Sequence, residues 1–256
     1  MAQKYYVDDI ERSYGCEMTS IVPQSLTGRS GIDCLRMIDS LLVKQIPSIS
    51  EAIFGIAAEA KFDIFNDRKE RLFQAFETSS FCQRLFCTSR RQFILRIVDN
   101  SNQEIILVKR EFKCCSGCCW CANATCCSQE VTVESPPGTL IGTVSQEGSC
   151  WRLRLAIKDA NDTTILTVRG PGCICDGSLA CCCESKFTLL GNDGNTEIGF
   201  IQKKYRGFLN EAMTSADAYL LHMPRDLDSK IKAVTLGALI LIDFMFFGTV
   251  PDRNND

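Results

Sequence analysis

From about residue 60 onward the chain runs as short segments in which apolar and polar positions alternate. That period of two is expected of strands with one buried face. The segments come in pairs. Residues 62–65 and 72–76 flank Asn66-Asp67-Arg68-Lys69; 93–98 and 104–108 flank Asp99-Asn100-Ser101-Asn102; 130–134 and 139–144 flank Pro136-Pro137-Gly138. Residues 151–157 and 164–168 flank Asp159-Ala160-Asn161-Asp162, and 186–190 and 197–201 flank Asn192-Asp193-Gly194-Asn195. Asn, Asp and Gly bond their own backbone or tolerate the left-handed region, so each pair reads as a hairpin. Two further runs, near Phe208 and over 219–223, bring the count to about twelve strands. The pattern predicts a mainly β protein, a meander of about twelve strands closed into a barrel.

Three stretches depart from that pattern. Residues 1–30 show little periodicity and read as a flexible leader, and 251–256 as a short tail. Within 34–56 the spacing of Leu35, Ile38, Leu41 and Leu42 predicts a helix that breaks at Pro47. Residues 233–250 (AVTLGALILIDFMFFGTV) carry Asp243 as their only charge, and Pro224 with Asp226 as N-cap predicts a helix over 227–247. A helix apolar on every face is either wholly buried or spans a bilayer. Twenty-one residues give roughly 31 Å, just enough for the hydrocarbon core. Asp243 argues against a span, at roughly 3 kcal/mol on insertion scales. A twelve-strand barrel leaves a hole that a helix about 10 Å across fills. The plugged barrel is the expected state, with Asp243 bonded to a strand or set near the mouth. A span, with Lys230 and Lys232 on its cytosolic side, stays open for a membrane-bound form.

Composition narrows the function. The 256 residues hold 28 Lys and Arg against 31 Asp and Glu, so no global positive charge recruits nucleic acid. His222 is the single histidine, and no nucleophile–base pair, phosphate-binding loop or metal triad stands out, so a conventional enzyme is not expected. Seventeen cysteines are the unusual feature. Cys114, Cys115, Cys118, Cys119, Cys121, Cys126 and Cys127 form one cluster, and Cys173, Cys175, Cys181, Cys182 and Cys183 another. Clustered, odd-numbered thiols behind a polar N-terminus without an apolar h-region are expected to be reduced and cytosolic. One reading gives Cys115, Cys118 and the Cys181–Cys183 run to zinc. A second gives the first cluster thioester-linked acyl chains, supported by the basic stretch 84–113 just before it. Buried or idle thiols are the third, and the better reading for Cys82, Cys87 and Cys150.

Three segments carry a family resemblance. They are Ser135-Pro136-Pro137-Gly138-Thr139-Leu140-Ile141-Gly142, Arg169-Gly170-Pro171-Gly172-Cys173-Ile174-Cys175, and above all Lys232-Ala233-Val234 through Ile242-Asp243-Phe244-Met245-Phe246-Phe247. Over about residues 30–250 the chain resembles phospholipid scramblases. The resemblance implies a tubby-like barrel domain over 31–250, closed around a C-terminal core or membrane helix that includes Ala233, Gly237, Asp243, Phe244, Phe246 and Phe247. It implies calcium-stimulated, ATP-independent movement of phospholipids between leaflets and palmitoylation of the first cysteine cluster. It also implies attachment to the cytoplasmic face of the plasma membrane, with anionic lipids and other proteins as partners, and a nuclear location for the unacylated chain. An adaptor that binds lipid without moving it is the alternative, and a zinc-binding interaction module the lesser one.

The family's calcium segment corresponds to 215–226. Here Asp217 and Asp226 keep carboxylates, while Tyr219, Leu221 and Met223 offer at most backbone carbonyls. Ser215 stands where the family has an acidic ligand, and Arg225 adds a positive charge. Ca2+ takes six to eight oxygens, so its affinity is expected to be weakened or lost. The segment matching an import signal of some members contains Lys203, Lys204 and Arg206, which a solvated strand end explains equally.

Overall fold

The structure, a computed structural model, describes residues 31–46, 59–81, 91–113, 119, 121–172, 185–204 and 218–247. The chain divides into two units, Met1–Ser30 and Gly31–Asp256, and all described residues lie in the second. Alternation of apolar and polar positions makes twelve strands there: β1 (Ser40–Gln45), β2 (Lys61–Phe65), β3 (Arg71–Thr78), β4 (Phe93–Asp99), β5 (Glu104–Arg110), β6 (Glu130–Glu134), β7 (Leu140–Gln146), β8 (Arg154–Asp159), β9 (Thr164–Arg169), β10 (Lys186–Leu190), β11 (Glu197–Lys204) and β12 (Ala218–His222). Sequence neighbours pair antiparallel, and β1 pairs with β12 from Ser40↔His222 to Lys44↔Ala218, closing the barrel. Closure leaves no free edge among the described strands to recruit another chain. One face of each strand fills the interior: Phe62 and Ile64, Phe73 and Ala75, Leu95 and Ile97 are buried.

Four hairpins share one device. Asn66, Asp99, Asp159 and Asp193 end or follow a strand, and each side-chain oxygen accepts two backbone N–H groups of its own turn, from Arg68 and Glu70, Ser101 and Gln103, Asn161 and Thr163, and Asn195 and Thr196. These Asx turns explain why connections of four to six residues suffice there. Those N–H bonds hold the Asp159 carboxyl below the usual carboxylate range. Asp193 is lowered in the same way, first by the Thr196 hydroxyl.

Inside the barrel lies α1 (Ser229–Ile242), continued by a π-turn, Asp243–Phe247. Ile231 through Ile242 are all buried, as expected of a helix apolar on every face. It packs against β6, β7 and β8. Two glycines permit that approach: a Cβ on Gly142 would lie 2.2 Å from the Lys158 carbonyl oxygen and 2.8 Å from Val234 Cγ2, and one on Gly237 would lie 2.8 Å from Val133 Cγ2. Phe62, Phe73, Phe93, Phe187 and Tyr219, on other strands, fill the remaining interior. Helix α1 is about 21 Å long at 1.5 Å per residue, and no helix among the described residues is long and apolar enough to cross a membrane.

The structure corrects four expectations. In its described part, 34–46, the helix expected within 34–56 gives way to a 3-10 turn, Gly31–Met37, followed by β1, while 47–56 lie outside the described residues; i, i+3 spacing suits a 3-10 turn, and Leu41 and Val43 alternate inward as strand residues. The N-cap is Asp228 rather than Asp226, its Oδ1 accepting the Lys230 N–H at 2.8 Å. Trp151 falls outside β8, 88% exposed. Lys230 is exposed, but Lys232 is not a flanking surface charge. It is fully buried, and its ammonium donates to the carbonyls of Leu35, Arg36, Ile38 and Arg225 at 2.7–3.2 Å. That cage ties the start of α1 to the 3-10 turn. The run near Phe208 lies outside the described residues.

Candidate functional site

An antiparallel meander puts alternate connections on opposite rims. One rim carries the short connections 66–70, 100–103, 135–139, 160–163, 191–196 and 223–228. The other is the rim of the remaining connections, whose described residues include Ile46, Phe81, Phe112 and the cysteines Cys119, Cys121, Cys126, Cys127 and Cys150. The C-terminal end of α1 points to this second rim, because the π-turn meets Phe93, Phe187 and Tyr219 at the strand ends there.

The two rims differ in charge. At the cysteine-bearing rim the last two residues of each strand include nine basic side chains: Lys44, Lys61, Lys109, Arg110, Arg154, Arg169, Lys186, Lys203 and Lys204. Only Glu77 and Glu130 oppose them. At the other rim the same positions hold Arg71 and Lys158 against Asp99, Glu104, Glu134, Asp159 and Glu197.

Beneath the cysteine-bearing rim runs a buried polar layer. Arg91 grips Glu77 with two bonds, Nε to Oε1 at 2.7 Å and Nη2 to Oε2 at 2.9 Å, and its guanidinium lies 4.6 Å from the centre of the Phe244 ring. Phe244 stacks on Phe93 at 4.1 Å. Arg110 donates through Nη2 to Gln129 Oε1, while its Nε and Nη1 find no acceptor among the described residues. Burial, with the charge of Arg91, pulls Arg110 down to about 10. Lys203 is 3% exposed, its ammonium 4.0 Å from the centre of the Phe247 ring. Asp243 accepts the Tyr219 hydroxyl at 2.5 Å, the strand bond expected of it.

Strand phase carries a signal for three of these side chains that their charge masks. Glu77 follows Phe73 and Ala75 at steps of two, Arg110 follows Val108, and Lys203 follows Ile201, so each sits on the inward face of its strand.

The expected site residues divide as follows. Ala233, Gly237, Asp243, Phe244 and Phe247 are buried and Phe246 half-buried, all within the barrel's core. Of the first cysteine cluster, Cys121 and Cys126 are exposed, Cys119 is half-buried, and Cys127 is 8% exposed. Cys114, Cys115 and Cys118, and the thiols Cys181, Cys182 and Cys183, lie outside the described residues. The Cys126 and Cys127 sulfurs lie 3.7 Å apart. Cys34 sits apart, and burial pushes its thiol up to about 12.

In the calcium segment, Tyr219, Leu221 and Met223 all turn into the core, and β12 is paired on both sides, so the carbonyls of Tyr219 and Leu221 belong to the ladders. Asp226 is exposed in a turn, and Asp217 lies outside the described residues. The described part of this segment does not fit Ca2+, and no three His, Cys, Asp or Glu side chains among the described residues converge as a metal requires. Of the import segment, Lys203 faces inward, Lys204 donates to Gln202 at 2.7 Å, and Arg206 lies outside the described residues.

A closed β-barrel plugged by its own C-terminal helix, with exposed cysteines on one rim, is the class this arrangement defines. Residues 18–249 match the Scramblase family, and the chain belongs to it. It is 36% identical over 225 residues to mouse "Phospholipid scramblase 1", covering 88% of this chain and 66% of that protein. It is also 36% identical over 225 residues to human "Phospholipid scramblase 2", covering 73% of that protein, and over 217 residues to human "Phospholipid scramblase family member 5", covering 77%. The chain thus spans about two-thirds of the length of the first of these relatives. No solved structure matches.

Proposed function

We propose that this protein moves phospholipids between the leaflets of a membrane without ATP and without covalent chemistry, held at the cytoplasmic face of the plasma membrane by acyl chains on the exposed thiols of its first cysteine cluster. The observation that carries this reading is the match over residues 18–249 to a family whose relatives are named phospholipid scramblases. The exposed Cys121 and Cys126 favour acylation there, while Cys127 is too buried to carry a chain in this state.

Two features constrain how lipid moves. The barrel interior is filled by α1 and by aromatic side chains, so a polar headgroup does not pass through it, and Asp243 lines no path for lipid. Exchange therefore proceeds at the protein's outer surface, where local thinning of the bilayer lowers the barrier. Calcium stimulation, implied by the resemblance, gains no support from the inward-facing Tyr219, Leu221 and Met223, and we infer weak or absent affinity there.

Leaflet exchange of a fluorescent phospholipid in reconstituted vesicles, with and without calcium, tests the reading. Wild type is compared with Asp217→Ala/Asp226→Ala. Exchange that the double substitution leaves unchanged supports it; calcium-dependent exchange lost in that variant restores the calcium site. The filled interior favours a second reading, an adaptor that binds anionic lipid and protein partners without moving lipid. Vesicle binding with no exchange would select it.

A further inference from the structure

The exposed apolar side chains are unevenly placed. On the cysteine-bearing rim, Trp151 is 88% exposed, Phe81 53%, Phe112 48% and Ile46 37%. They come from four separate connections, so the apolar face spreads around the rim rather than crowning one loop. The other large exposed apolar side chains among the described residues, Met37 and Leu140, belong to the opposite rim and include no aromatic ring.

We propose that the cysteine-bearing rim docks on an anionic lipid surface, with Trp151 and Phe112 entering the boundary between headgroups and acyl chains. The inference deepens the proposed function and rests on its membrane attachment. Trp and Phe with basic neighbours are suited to that boundary, where an apolar ring inserts and cations meet lipid phosphates. The basic strand ends supply the cations: Lys61 and Arg169 are exposed and Lys44 half-buried, while the exposed Arg154 pairs with Glu147 of the same rim at 2.8 Å. They sit on β1 and β2 and, across the barrel, on β8 and β9. So broad a distribution matches a laterally uniform surface better than the single patch of a protein partner. Cys121, Cys126 and Cys150 are exposed on the same rim, so an acyl chain on any of them enters the same bilayer. The opposite rim, with its acidic strand ends and Asx turns, is repelled by anionic lipid.

The chain has two tryptophans, so Trp120→Phe leaves Trp151 as the sole reporter. Full-length protein produced without acylation is mixed with phosphatidylcholine vesicles, with or without phosphatidylserine, that carry quenchers on their acyl chains. The expected result is a blue-shifted, quenched Trp151 on the anionic vesicles alone, with partitioning weakened roughly tenfold by Phe112→Ser. A second reporter, Leu140→Trp in a Trp120→Phe/Trp151→Phe background, stays unquenched. Flotation of the protein with vesicles while Trp151 remains unquenched would overturn the proposal, as would quenching at position 140. Failure to bind anionic vesicles, with binding to a protein partner through this rim instead, would also overturn it. Leaflet exchange is read separately, so docking without exchange removes the translocation reading and leaves this one standing.

Discussion

Replacing Glu77 by Ala removes the carboxylate that accepts both bonds from Arg91 and the Ala60 N–H at 2.7 Å. The Arg91 side chain is 6% exposed and that of Glu77 0%, so water does not take the carboxylate's place. The charge of Arg91 already acts on Arg110, and without Glu77 the two guanidiniums share a buried layer that has lost its carboxylate. Leaving one partner of a buried ion pair costs about 3–5 kcal/mol. We therefore expect a loss of about 4 kcal/mol, which for a domain of this size lowers the melting temperature by roughly 12 °C. Urea and thermal unfolding followed by circular dichroism measure it. Glu77→Ala/Arg91→Met should recover about half of the loss, because it removes the stranded charge as well. Lys186→Ala, which breaks an exposed pair with Glu197 at 3.0 Å, should cost less than about 1 kcal/mol. A Glu77→Ala protein within about 1 kcal/mol of wild type would refute the reasoning.

Gly142→Ala places a methyl 2.2 Å from a backbone carbonyl that cannot turn aside, and should destabilise by about 3 kcal/mol in the same unfolding assay. Lys232→Met strands four backbone carbonyls at the start of α1, and faster amide exchange in Gly31–Met37 than in the barrel strands is the expected mark. Cys34, pushed up to about 12, should be alkylated at pH 8 on the order of a hundredfold or more slowly than exposed Cys126, as timed mass spectrometry would show. The lowered Asp159 and Asp193 carboxyls give stability that is complete above the ordinary aspartate value and lost as pH falls through the lowered one. Asp159→Asn should therefore flatten the acid limb of the stability profile.

The hairpins were legible because strand alternation and Asx turns are local signals, and the strands from β2 to β11 follow them in order. The plug was legible because a helix apolar on every face has few places to go. Strand β1 was not, since Leu35, Ile38 and Leu41 repeat at a spacing that a helix and a 3-10 turn followed by a strand both satisfy. The N-cap slipped because Asp226 and Asp228 flank Leu227, and only the bond to Lys230 distinguishes them. Buried charges escaped for a related reason: Glu77, Arg91, Arg110 and Lys232 read as solvated residues in sequence. Their partners lie on other strands or connections, or, for Lys232, on backbone carbonyls nearly two hundred residues away.

Whether the protein itself moves lipid is tested most directly by reconstitution without ATP. Vesicles carrying a headgroup-labelled phospholipid in both leaflets are treated with a membrane-impermeant reductant that destroys only the outer label. With the protein incorporated, the protected inner label should become accessible on the timescale of the assay, while protein-free vesicles keep theirs. Protein shown to be incorporated and folded, in vesicles whose inner label stays protected, would contradict the account and identify a lipid-bound adaptor.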